Sequence, residues 1–294
     1  MTSRIVVGYT ATKTGRDAVA FAARLAAASD AELHIVIVLP SEGRSVITPP
    51  DAGYDRYLRD QAEQWLREAA ARAPVAIERH EHTRYADSFA EGLIEAAGEL
   101  GAGFIVVGAA DGALRGRHRL GSTANELLHS SDVSVVLVPR GARKVAEPGI
   151  TRVTAAVGMR PGADALLGEA VALAAATGAP LRLLSLVSVD LPPSIDTGVI
   201  RVAGAAHAEE VLAEARAALP GGVTAESVAA RGSTIEEAVR DLEWQPGEVV
   251  VVGSSRLAQP RRLFLGSTAA KMLHEVPVPM IVVPRTRVPR GARR

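Results

Sequence analysis

The chain contains itself twice, and no other feature constrains its fold as much. The segment GSTANELLHSSDVSVVLVPR at 121–140 matches GSTAAKMLHEVPVPMIVVPR at 266–285, with ten of twenty positions identical at an offset of 145. Phe104–Gly108 pairs with Val249–Gly253 at the same offset, and Ala31–Val38 pairs with Ala179–Leu186 at an offset of 148. A period this long marks a duplicated domain and not a solenoid of short repeats. The length of 294 residues agrees, since it is about twice the size at which single cores are commonest.

Each half reads as strands alternating with helices. In the first, Arg4–Tyr9, Glu32–Leu39, Val75–Glu81, Phe104–Val107 and Val133–Val138 are predicted strands. Helices are predicted at Asp17–Ala28, Asp51–Ala73, Ser88–Leu100 and Ser122–Ser131. The second half repeats the order, with strands near Val153–Val157, Leu181–Val187, Val223–Ala229, Val249–Val252 and Val278–Val283. Strands that are apolar without alternation and separated by helices imply parallel sheets covered on both faces. The expected fold class is α/β: two tandem doubly wound domains, each a five-stranded, mostly parallel sheet. Domain one is placed at 1–140, a Gly-, Pro- and charge-rich linker at 141–149, domain two at 150–285, and a basic tail at 286–294.

Composition excludes several classes of function. Lys+Arg 33 balances Asp+Glu 33, and the halves split 17 basic to 18 acidic before Ala146 and 16 to 15 after it, so neither half is a basic module for nucleic acid or an anionic membrane. The absence of cysteine removes disulfides, thiolate catalysis and Cys-ligated metals. No apolar stretch approaches the length of a bilayer span, and the start of the chain has no signal-peptide pattern, so a cytoplasmic location is expected.

The turn after the fourth strand of each half carries the strongest chemical signal. It reads Gly108-x-x-Asp111, nine residues, then Gly121-Ser122-Thr123; the second copy reads Gly253-x-x-Arg256, nine residues, then Gly266-Ser267-Thr268. Open α/β sheets bind ligands beyond the carboxyl ends of their strands, where glycine lets backbone approach a phosphate and a helix start offers free N–H groups. The alternative is structural, with Ser122 and Ser267 as N-caps and the glycines merely turning the chain.

These motifs resemble the universal stress proteins, whose ATP-binding members carry Gly-x2-Gly-x9-Gly-[Ser/Thr] at this place. The resemblance covers both halves and includes the opening Ile5-Val-Val-Gly8 and the closing run Val276–Pro284. It implies the adenine nucleotide alpha hydrolase-like fold and an adenine nucleotide, ATP with or without Mg, as ligand. The implied contacts are Thr10, Val38, Gly108, Asp111, Gly112, Gly121, Ser122 and Thr123 in the first half. In the second they are Gly158, Leu186, Gly253, Arg256, Gly266, Ser267 and Thr268. Two departures stand out: the middle glycine is Asp111 or Arg256, with Gly112 beside the former, and the Asp that follows strand one in ATP-binding members is Thr10 or Gly158 here. Asp111 near a triphosphate against Arg256, Arg261 and Arg262 predicts tighter binding at the second site. The family also pairs domains through their last strands, which implies an intrachain pseudo-dimer and allows a homodimer.

Weaker constellations complete the reading. His80 and His82 share a strand face beside Glu78, a spacing a metal could use, but an exposed alternating strand explains it more simply and no metal site is assigned. His129 and His274 fall at helix ends, where an imidazole suits the negative terminus. Arg115, Arg117, His118 and Arg119 either grip phosphates or form a solvated loop. No catalytic residue is assigned. The function expected is a stress-response protein that binds adenine nucleotide without rapid turnover; the alternatives are an interaction protein with degenerate pockets and a slow ATP hydrolase.

Overall fold

The computed structural model describes residues 3–41, 52–74, 76–110, 112, 114, 116–158, 162–188, 198–254, 263 and 265–284. Its first half runs β1 (Ser3–Gly8), α1 (Lys13–Ser29), β2 (Ala31–Pro40), α2 (Ala52–Ala70), β3 (Arg79–Ala86), α3 (Phe89–Leu100), β4 (Phe104–Gly108), α4 (Ser122–Ser130) and β5 (Ser134–Val138). A 3-10 turn at Ala142–Lys144 leads to the second half: β6 (Val153–Ala156), α5 (Ala163–Thr177), β7 (Leu181–Ser188), α6 (Gly198–Ala217), β8 (Ala225–Gly232), α7 (Ile235–Arg240), β9 (Val249–Gly253), α8 (Ser267–Glu275) and β10 (Met280–Val283).

All ten strands lie in one sheet, in the order β3-β2-β1-β4-β5-β10-β9-β6-β7-β8. Within each half every pairing is parallel, as helical crossovers require. The one antiparallel pair joins the halves, with Met280 opposite Leu137 and Val282 opposite Val135 on β10 and β5. The two last strands expected to meet therefore do so inside one chain, which covers both valine-rich edges and leaves β3 and β8 outermost.

Apolar residues on both faces of the strands build two cores. One packs α1, α2, α5 and α6 over Ile5, Val7, Ile35, Val251 and Ile281; the other packs α3, α4, α7 and α8 over Val6, Val36, Ile105, Val250 and Val282. Each core runs without a break from one half into the other. Buried Asp17 of α1 fastens the connection between the halves, accepting from the backbone N–H groups of Gly141 (2.8 Å) and Arg143 (3.1 Å) and from Arg143 Nη1 (2.8 Å).

The third strand lies later than the sequence predicts. β3 begins at Arg79 in register with Leu33 and runs to Ala86 opposite Pro40. Of the apolar pair that suggested a strand at 75–81, Ile77 is buried as a plug below the sheet, and Val75 lies outside the described residues. A strand made of Arg, His, Glu, His and Thr carries no apolar signal because it is an outer edge, where charge discourages further pairing. α1 also starts earlier than predicted, at Lys13, because Thr12 caps it by accepting from Gly15 N at 3.1 Å.

Candidate functional site

Strand order reverses between β1 and β4 in the first half and between β6 and β9 in the second, so a crevice opens at the carboxyl ends of each pair. The loops leaving β4 and β9 begin alike: Ala109 N donates to Val138 O and Ser254 N donates to Val283 O, both at 2.9 Å. Each loop then returns to a nine-residue helix whose N-cap is a glycine, Gly121 for α4 and Gly266 for α8.

Those caps bear on the structural reading of the two serines. Ser122 and Ser267 are the first helical residues and do not cap, and neither helix has a side-chain cap bond. Three other helices are capped by side chain: α1 by Thr12, α3 by Ser88 and α7 by Thr234. An uncapped helix start leaves backbone donors free to hold an anion. α5 is likewise capped by a glycine, Gly162, without a side-chain bond, whereas its counterpart α1 is closed by Thr12. The second crevice therefore gathers two open helix starts and the first only one.

The crevices also differ in room. The first has a cavity of about 240 Å³, lined by Thr10, Thr12, Thr14, Gly108, Gly121, Ser122 and Thr123 among others. Its Gly108 is required by packing, because a Cβ there would stand 2.3 Å from the Thr14 carbonyl oxygen. The second has a cavity of about 420 Å³, and beside it lies another of about 300 Å³ that shares Val157, Gly158, Gly162 and Ala163 in its lining. There a Cβ on Gly253 would meet only Leu166 Cδ1 at 3.4 Å, so that glycine is not demanded by packing. Ligand pockets span about 300–1,000 Å³, a range that the second cavity enters and the first does not.

The second cleft is lined by apolar Leu184, Leu186, Val211, Ile235 and Met272 and by polar Ser185, Ser254 and Thr268. Its described lining carries His207, 3.9 Å from Glu210, in the larger cavity, and Asp164 and Glu214 in the smaller.

The structure gathers Thr10, Gly108, Gly121, Ser122 and Thr123 around the first cavity, and Gly158, Leu186, Gly253, Gly266 and Thr268 around the second. Ser267 is exposed at the start of α8 and is not part of the lining. Val38 is turned away, packed against Gly92 of α3, and Gly112 sits in the loop with a positive φ of 81° beside Arg119. Asp111, Arg115, Ser255, Arg256, Arg261 and Arg262 lie outside the described residues.

In the basic loop after β4, Arg117 and His118 reach across to the second half. Arg117 Nη1 donates to His274 O (2.8 Å) and to Glu275 Oε2 (2.9 Å), joined on the same carboxylate oxygen by Arg240 Nε (3.0 Å). Bonds from these two guanidiniums, Arg240 first, hold Glu275 down to a pKa of about 2. His118 is buried and its Nε2 donates to Val278 O at 2.8 Å; burial pushes its pKa down to about 4. Both residues therefore tie the first half to the second. Their partners lie 157–160 positions away, so local sequence held no sign of the role. His129 spends its Nδ1 on Asn125 O at 2.6 Å, within its own helix.

The universal stress protein family matches residues 1–139 and again 149–284. Universal stress proteins of Mycobacterium tuberculosis and Mycobacterium bovis are each 31% identical over 299 residues, covering 95% of this chain and 99% of theirs. Among solved structures, a universal stress protein of Archaeoglobus fulgidus shares the fold with a TM-score of 0.69 at 20% identity, covering 96% of this chain and 98% of its own. A functionally unknown protein of Pseudomonas aeruginosa shares it with a TM-score of 0.59 at 18% identity, covering 96% and 92%. Among the described residues no helix is long and apolar enough to cross a membrane.

Proposed function

The chain belongs to the universal stress protein family, and from that membership and the shape of its clefts we propose that it is a cytoplasmic stress-response protein that binds adenine nucleotide. ATP is the ligand, and the principal site is the cleft between β6 and β9. The observation that carries this reading is the pair of uncapped helix starts, α5 and α8, above a cavity of about 420 Å³. Helix N-termini favour anions by up to about 2 kcal/mol each in partly buried geometry. The apolar lining formed by Leu184, Leu186 and Met272 suits a planar base, and the hydroxyls of Ser254 and Thr268 suit phosphate oxygens. In this reading the protein acts by binding and not by turnover. The first cleft is the weaker site, being smaller and having one open helix start.

Gly266→Asp tests the assignment. Gly266 has an extended backbone (φ −69°, ψ 160°) that aspartate can adopt, and its carboxylate would cap α8, occupying the donors offered to phosphate. The variant should fold as well as the parent and lose at least about ten-fold in ATP affinity by calorimetry, equivalent to about 1.4 kcal/mol. Gly121→Asp should leave the tighter site intact. Equal affinity in Gly266→Asp and the parent would overturn the site, and sustained release of ADP beyond the bound nucleotide would favour a slow hydrolase.

A further inference from the structure

At the opposite end of the first half's strands from its cleft, the register brings together a group that sequence spacing did not reveal. Arg4 stands beside Glu32, and His34 stands beside Val6 on one side and His80 on the other, with His82 one pleat further along β3. The rings stack on one another, with centroids 4.8 Å apart for His34 and His80 and 5.2 Å apart for His34 and His82. His34 is 4% exposed, and its buried Nε2 faces Glu32 Oε2 at 3.4 Å without a well-formed hydrogen bond. A buried polar atom so poorly satisfied is costly and calls for an explanation.

We propose that Glu32, His34 and His80 bind one divalent transition-metal ion of the zinc class, with His82 as a positioning residue. The three side chains offer ligand atoms that all lie within 4.8 Å of one another. Zinc bonds of about 2.0–2.1 Å in tetrahedral geometry place neighbouring ligand atoms about 3.3–3.4 Å apart. His34 Nε2 and Glu32 Oε2 already stand at 3.4 Å, and half-exposed His80 is free to close the remaining distance. Two imidazoles and one carboxylate match zinc and its neighbours better than calcium or magnesium, and leave a fourth position for water. A metal on His34 Nε2 requires the proton on Nδ1, where His82 Nε2 at 3.0 Å accepts it. Metal-bound histidines are oriented by an acceptor of this kind.

The charged neighbours are Arg4, whose Nε holds Glu32 Oε2 at 2.7 Å and competes for it, and Glu78, 3.3 Å from His80 Nε2, which adds negative charge. The second half provides a comparison within the same chain. By register, Arg152, Thr154, Arg182 and Glu226 take the places of Arg4, Val6, His34 and His80. There Arg182 and Arg152 are neutralised by buried Glu248, each at 2.7 Å. The second copy fills this place with a fixed ion pair, and the first fills it with groups that can share a metal.

Calorimetric titration of untagged, chelator-treated full-length protein with ZnCl2 tests the proposal. One equivalent should bind, and His80→Ala, at an exposed edge, should weaken it roughly ten- to a hundred-fold or more, as should Glu32→Gln. Co2+ in place of Zn2+ should show the intense visible bands of a four-coordinate centre, absent from both variants. His82→Phe should weaken binding, and His82→Gln, which keeps an acceptor, should recover part of it. Identical Zn2+ titrations for the parent, His80→Ala and Glu32→Gln would overturn the site. Equal loss in His82→Phe and His82→Gln would overturn the positioning role.

Discussion

Replacing Glu248 with glutamine should destabilise the second half by about 4 kcal/mol. The Glu248 carboxylate is fully buried and accepts from Arg152 Nη2 (2.7 Å), Arg182 Nη2 (2.7 Å), Thr154 Oγ1 (2.5 Å) and Gln245 N (2.9 Å). Glutamine keeps the volume but removes the charge, and turns an amide donor toward one of two guanidiniums. Burial already pushes the Arg182 pKa down, and the charge of Glu248 is the main influence opposing that shift. Removing one member of a buried ion pair costs about 3–5 kcal/mol because it strands the other. The remaining carboxylate, Glu226, is exposed and stands 3.9 Å from Arg152 Nη1, so solvent screens most of what it could offset. Trp244 supplies the assay: its ring lies 5.2 Å from Arg182 Cζ and its Nε1 donates to Val239 O. In a Trp65→Phe background, urea unfolding followed by Trp244 fluorescence reads this half alone. The triple variant Arg152→Met, Arg182→Leu, Glu248→Leu should recover most of the loss, since apolar replacement of a buried ion pair is often neutral. A loss below about 1 kcal/mol in Glu248→Gln, at unchanged denaturant slope, would refute the reasoning by showing that the arginines reach water.

Acid should loosen the contact between the halves. His118 has a folded pKa of about 4 against about 6.5 unfolded, so its contribution is complete above about pH 6.5 and is lost as pH falls toward 4, up to about 3 kcal/mol. Unfolding at about pH 7 and about pH 4.5 should show this loss in the parent and not in His118→Gln; equal pH dependence in the two would exclude it. Glycine at the end of β4 should matter more than at the end of β9. Gly108→Ala forces a Cβ onto the Thr14 carbonyl and should cost about 2 kcal/mol or more, whereas Gly253→Ala should cost under about 1 kcal/mol, and thermal melts of equal midpoint would contradict the packing argument.

The fold was legible because its signals are local or repeated: apolar strands such as Phe104–Val107, Ala-rich helices and a period that needs no alignment. β3 was misplaced because an exposed edge strand carries polar residues, while the apolar residue Ile77 beside it belongs to a loop. The loops after β4 and β9 were found as motifs, and their charges predicted a tighter second site, but the difference in capping and room between the clefts was not legible. It depends on which helix starts are capped and on how far Thr14 leans toward Gly108, and neither is written in spacing. His34 read as one more residue of a buried strand. Only the β2–β3 register turns it into the neighbour of His80 and His82.

The antiparallel seam between β5 and β10 has an evolutionary consequence. In an assembly of two identical subunits every substitution occurs twice, so a change that suits one site is imposed on the other. Joining the halves in one polypeptide keeps the shared sheet but lets each position vary once. Thr12 closes a helix start that Gly162 leaves open, and His34 occupies the place where Arg182 forms an ion pair. A pair of copies held this way can specialise, one toward a ligand cleft and the other toward a different chemistry, without losing the interface that folds them both.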